Sequence, residues 1–286
     1  SVLLDYEDYY FKINGQVIER EKEQPIYIAP ENLSGVVTLP NAVYSNIQNL
    51  DELYSLYDEF VTQYPEYVTK TLLGNDASNT YPIYSYRFKP QQAESVTTKK
   101  LPKILLHGGI HGEEYPSVVS LYHAMNAIVN AWGSSELLEF LRFNVEIIVI
   151  PVLNPYGYVN NQRVNYNGVN LQQNAGWKWG TGLKNPGTSA WSEVELQYLK
   201  SIIDSNKNEL ILYTDIHSAD LGYDSIQQVL GLDDFYNETM ELSSKYQLER
   251  MTRLFQKQYN VPTTITATYH SDNKIGWIYR SNIRGS

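Results

Sequence analysis

His111 and Glu114 are three residues apart in the run HGGIHGEE (107–114), so one turn of chain can aim both side chains at a single point. A second imidazole, His217, stands directly after the apolar run LILYTDI (210–216). Two imidazoles and one carboxylate leave a tetrahedral zinc one open position, which is what a catalytic site needs. A third feature is the polar stretch from Asn154 to Asn174, rich in amides and carrying Arg163. Each feature has a plainer alternative. A His after a strand is more often a turn or core residue, and a loop Arg is usually a solvated charge. His107 competes with His111 as a ligand, although a hydrogen bond within its own loop suits its position better. His123, mid-helix among apolar residues, and His270 are given no role. HxxE alone arises often by chance; its combination with a His-Ser pair after a hydrophobic strand is what favours a metal.

The elements that must position these groups follow from periodicity. Leu50, Leu53, Leu56, Tyr57, Phe60 and Val61 repeat at helical spacing and predict a helix over 49–63. Strands are predicted near 69–73 and 83–88, separated by the turn-rich GNDASNTYP. KILL (103–106) is a short apolar strand ending at His107, and 116–132 is a helix with Pro116 in its first turn. NVEIIVIPVL (144–153) is a nearly continuous apolar run, as expected of a strand buried on both faces. A long loop is predicted over 154–191, then a helix from 193 opened by a Ser192/Glu195 capping box. The strand 210–216, a helix over 235–259 and a strand over 262–269 complete the series. Strands alternating with helices imply a parallel or mixed sheet covered on both faces. In such sheets ligand sites form outside the carboxyl ends of strands, where all three features fall. Residues 1–45, punctuated by Pro25, Pro30 and Pro40, read as an N-terminal extension or connector to a main domain over 46–286.

Composition narrows the function classes. The chain has 286 residues, 42% hydrophobic and 19% charged, enough for one large α/β domain with a full core. A formal net charge of −10 with no basic cluster argues against nucleic acid and against anionic membrane surfaces. There is no cysteine, so a zinc site must draw on His and carboxylate ligands. No apolar run is long enough to insert in a bilayer, and SVLLDYEDYY does not read as a signal peptide. The first residue is not Met, which predicts either its removal or excision from something longer. The compartment is left open, with an extracellular or virion-associated setting compatible.

Four collinear motifs carry a family resemblance. GGIHGEEYPS resembles the first zinc motif of the zinc carboxypeptidases (metallocarboxypeptidases), and NPYGYVNNQRVNYNGVNLQQN resembles their NPDGY…R…GVDLNRN segment. PGTSAWSEVE resembles PGxxxxSExE, and DIHS resembles the strand-end His motif, in order across 50–280. The resemblance implies an α/β/α sandwich around a mixed, roughly eight-stranded sheet. It also implies one zinc ion held by His111, Glu114 and His217, and a peptide or peptide-like substrate. By it, Arg163 takes the place of the arginine that polarises the scissile carbonyl and stabilises the oxyanion, as a fixed guanidinium would. Tyr269 roughly matches the mobile tyrosine that closes over substrate.

The sequence also departs from the family. Asn170 replaces the Asp that orients the first zinc-binding His; its amide oxygen still accepts a hydrogen bond but lends less basicity. Gln172 and Gln173 replace the Asn–Arg pair that grips a substrate's terminal carboxylate, removing the bidentate clamp. Glu113 sits where some members carry Arg. The general-base Glu that the family resemblance implies shortly after KIGWIYRSNIRGS is not present before Ser286, which implies either a domain truncated at that end or a protein that lacks the Glu. The expected function is zinc-dependent hydrolysis of peptide (amide) bonds with atypical recognition of the substrate end. The alternative is a peptidase-like module without catalysis, binding or structural, as in a phage tail or on a cell surface.

Overall fold

A computed structural model describes residues 49–91, 101–176, 179 and 184–218, together with the backbone of four short strands at 11–13, 16–18, 228–232 and 266–270. Two units are distinguished, Ser1–Gly35 and Val36–Ser286. In the first, β1 (Phe11–Ile13) and β2 (Gln16–Ile18) form an antiparallel hairpin.

The second unit is built on a five-stranded mixed sheet. Its members are β3 (Val68–Asn75), β4 (Pro82–Phe88), β5 (Lys103–Gly108), β6 (Glu146–Ile150) and β7 (Leu210–Ile216), in the order β3-β4-β6-β5-β7. β5 is central to the parallel half, pairing with both β6 and β7, while β3, β4 and β6 pair antiparallel. All five residues of β6 are buried. Alternate residues face opposite ways along a strand. Ile147 and Val149 join one apolar cluster and Ile148 and Ile150 the other. The first cluster is completed by α1 (Leu50–Gln63), α2 (Tyr115–Asn130) and α3 (Glu136–Asn144), the second by α6 (Val194–Asn206). Helices therefore cover both faces, as the predicted α/β/α sandwich requires. Five strands lie in this sheet; β8 (Gln228–Leu232) and β9 (Thr266–His270) pair in parallel with each other.

The helices form for local reasons. α1 buries Leu50, Leu53, Tyr54, Tyr57 and Phe60 along one stripe, and the Asn49 side chain caps it by accepting from Asp51 N. α2 has Pro116 in its first turn. α3 has no counterpart in the sequence prediction, although Ser135 caps it by accepting from Leu138 N.

Two expectations are corrected. The loop over 154–191 contains α4 (Pro155–Asn160) and α5 (Leu171–Asn174), helices too short to show a period. The Ser192/Glu195 capping box is not made: α6 starts after Glu193 without a side-chain cap. Ser192 Oγ donates instead to Glu193 Oε1, and the Glu195 carboxylate is taken by Ala77 N and Asn165 Nδ2. The helix expected over 235–259 lies outside the described residues. Among those described, no helix is long and apolar enough to cross a membrane.

Candidate metal centre

Because β5, β6 and β7 run parallel, their carboxyl ends lie at one edge of the sheet, and each continues into a segment of the site. The turns after β5 and β6 are tied together: Leu153 N donates to Gly108 O and Asn154 N to Gly109 O, both at 3.0 Å. Asn154 then caps α4 by accepting from Gly157 N. The next contact demands glycine. Gly112 N donates to Gln162 O, and a Cβ on Gly112 would fall 1.9 Å from the carbonyl carbon of Gly157. The chain carrying His111 and Glu114 is thus pressed against α4 with no space for a side chain. Glu114 is the N-cap residue of α2, yet its carboxylate makes no cap. It turns into the site.

There it meets four donors or potential ligand partners. His111 Nδ1 lies 2.8 Å from Glu114 Oε1, and His217 Nδ1 lies 2.9 Å from Oε2. Ser218 N donates to Oε2 and Arg163 Nη1 to Oε1, each at 3.0 Å. The imidazole rings of His111 and His217 are 5.0 Å apart, centre to centre. One ligand atom from each of His111, Glu114 and His217 lies within 4.8 Å of the others. Zinc–nitrogen and zinc–oxygen bonds run about 2.0–2.2 Å, so atoms this close can converge on one ion with little rearrangement. The back nitrogens are held as well. His111 Nε2 is 3.2 Å from Asn170 Oδ1, and His217 Nε2 is 2.9 Å from Asp215 Oδ2. Both rings therefore present Nδ1 to the centre, and the donor set fits a zinc ion.

The electrostatics follow from burial and pairing. Burial alone raises the Glu114 carboxyl, but hydrogen bonds from His111 and His217 outweigh it and hold the group well below the usual carboxylate range. Burial lowers His217, but Asp215 and then Glu114 outweigh that and push its imidazolium up to about 10. His107 is fully buried, and desolvation holds it below its ordinary value despite the Asp215 charge.

Of the residues singled out in the sequence, His111, Glu114, His217 and Arg163 come together. Arg163 also donates from Nη1 to Glu113 Oε1 at 3.0 Å, so Glu113 faces the arginine rather than the ligand cluster. Gln172 and Gln173 lie on α5 and are buried. Gln172 Nε2 stands 3.4 Å from His217 Nε2, and Gln173 Oε1 is buried without a hydrogen-bond partner. Tyr269 falls on β9, whose side chains lie outside the described residues. His107 lies outside the group that converges on Glu114 and is part of β5, with Nε2 2.6 Å from the Tyr213 hydroxyl on β7. Sequence reasoning missed Asp215. The signal was present in YTDIH, where positions two apart share a strand face and so put Tyr213, Asp215 and His217 in one row.

Comparison with known proteins points to one family. The family model described as zinc carboxypeptidase matches residues 53–284. Carboxypeptidase A2 of Rattus norvegicus is 25% identical over 305 residues, covering 94% of this chain and 67% of its own. The crystal structure of carboxypeptidase A from Helicoverpa armigera superposes with a TM-score of 0.65 at 22% identity, covering 78% of this chain and 57% of that one. The crystal structure of thrombin activatable fibrinolysis inhibitor superposes with a TM-score of 0.70 at 18% identity, covering 86% and 66%. At these identities the two structures speak for the fold. The chain spans 61% to 67% of the length of three curated relatives that it matches.

Proposed function

The chain belongs to the zinc carboxypeptidase family, and we propose that His111, Glu114 and His217 hold one zinc ion that serves the hydrolysis of peptide bonds. The observation that carries this reading is the Glu114 carboxylate, placed between the two Nδ1 atoms at 2.8 and 2.9 Å. When bound, zinc supplies Lewis acidity toward a substrate carbonyl. The chain's own groups do the remainder. Glu114 and Asp215 balance the charge of a dication. Arg163, tied to the carboxylates through Nη1 and half exposed, offers its guanidinium to the carbonyl oxygen as negative charge grows there. Glu113 helps to fix the arginine's position through the same Nη1.

Recognition of the substrate end differs from a carboxylate clamp. Gln172 and Gln173 carry no charge, and among the described residues the cation at the centre is Arg163, already facing two carboxylates. The buried, unpartnered Gln173 Oε1 asks for a donor rather than an acceptor. We therefore expect hydrolysis to be indifferent to a free terminal carboxylate. The test is zinc-dependent cleavage of paired peptides that end in a carboxylate or in a carboxamide. Rates within threefold of each other support the reading; a preference of a hundredfold for the acid refutes it. Zinc bound at one per chain with no cleavage of either peptide would favour a binding module instead.

A further inference from the structure

The most thoroughly buried charge in the centre belongs to a residue outside the ligand set. Asp215, near the end of β7, has a side chain with 0% exposure. Its Oδ2 lies 2.9 Å from His217 Nε2, and its Oδ1 lies 3.5 Å from Nδ1 of His107, also wholly buried. His107 is set opposite Asp215 in the parallel register of β5 and β7, and its Nε2 meets the Tyr213 hydroxyl at 2.6 Å. Tyr213 and Asp215 share one face of β7 and His217 directly follows its end, so the four groups run as a row: tyrosine, histidine, aspartate, histidine. The Nδ1 atom at the end of that row is the one that faces Glu114.

A carboxylate this deep is costly unless a positive charge stands against it. Asp215 stands in ion-pair contact with the imidazoles of His217 and His107. A dication bound at Nδ1 of His217, where Glu114 stands, would supply that charge across the ring. The other ring is served differently: His111 Nε2 is held at 3.2 Å by the neutral amide oxygen of Asn170. The centre thus has one anionic and one neutral partner behind its two imidazoles. With Glu114 as the ligand carboxylate, two negative charges face a dication.

Resting on the zinc reading above, we propose that Asp215 is the positioning residue of the metal centre: it holds the His217 ring from behind, backed by His107 and Tyr213, and supplies the anionic partner that Asn170 cannot. A carboxylate behind a ligand imidazole fixes the tautomer, orients the ring and raises its basicity, and its loss weakens metal binding about 10–100-fold.

The test measures zinc dissociation constants by chelator competition on the full chain, with thermal melting of the metal-free proteins alongside. Asp215→Asn should raise the zinc dissociation constant about 10–100-fold. Adding Asn170→Asp to it, which moves the carboxylate behind His111, should recover at least tenfold. A folded Asp215→Asn protein with wild-type affinity overturns the proposal. So does a double variant with no recovery. If Asp215→Asn does not fold, Asp215→Ser, the smaller neutral variant, decides by the same measurement: a loss of at least tenfold supports the proposal and wild-type affinity overturns it. Should the wild type bind no zinc, the metal reading fails first and is distinguished from failure of this one.

Discussion

Raising the pH of the metal-free protein from 6.5 to 9 should destabilise it, and by an amount the centre itself sets. His217 is a buried imidazole against Asp215 and Glu114, which push its folded value from 6.5 to about 10. The folded state keeps a proton that the unfolded chain releases. That stability is fully present below pH 6.5 and is lost as pH rises toward 10. The slope is about 1.4 kcal/mol per pH unit, so the loss between pH 6.5 and 9 is about 3 kcal/mol. Other perturbed groups act outside this window. Glu114, held low, withdraws its contribution only as pH falls below 4.5. His107, also held low, acts below 6.5. The buried Tyr86, raised by desolvation and then by Asp58, acts above 10. Zinc reverses the trend, because His217 must shed its proton before Nδ1 can coordinate. Zinc affinity should therefore rise about tenfold per pH unit over the same range. Urea denaturation of apo and zinc-loaded protein at half-unit steps reads both effects. His217→Gln should flatten the apo curve. Apo stability that is level or rising from pH 6.5 to 9, or a zinc affinity independent of pH, would refute the reasoning.

Two substitutions probe the scaffold and the arginine. Gly112→Ala places a Cβ 1.9 Å from the Gly157 carbonyl carbon, backbone against backbone. It should cost about 3 kcal/mol or more in denaturant unfolding and weaken zinc at least tenfold; wild-type values for both would show that the two segments are not in contact. Arg163→Ala removes a half-exposed guanidinium that faces two carboxylates. It should lower kcat on a cleavable peptide about 100–1000-fold while leaving zinc affinity the same or tighter, and an unchanged kcat would exclude a role in stabilising charge on the substrate.

Much of this centre was legible in the sequence because its parts sit at the ends of strongly patterned elements. The apolar runs ending at His107 and before His217 mark two parallel strands, and HxxE after the first puts His111 and Glu114 in a single turn. The family motifs then place Arg163. What was not legible depends on register between distant strands. Nothing local says that His107 stands opposite Asp215, or that Tyr213 reaches across to it; those facts come from the β5–β7 pairing. The short helices α4 and α5 were hidden for a related reason. Four to six residues cannot display a helical period, and α4 is held by Asn154 capping and by the Gly112–Gly157 approach rather than by propensity. The missing capping box at Ser192 shows local chemistry overruled by tertiary demand: Glu195 is buried among Asn165 and Ala77 N instead of closing on its own helix.

The most direct test of the centre is zinc stoichiometry by equilibrium dialysis, for the wild type beside His111→Ala and His217→Ala. One zinc per chain in the wild type and clearly less than one in each variant, with all three proteins folded, is the expected result. A wild type that retains no zinc, or variants that bind it as tightly as the wild type, would contradict the assignment of His111, Glu114 and His217.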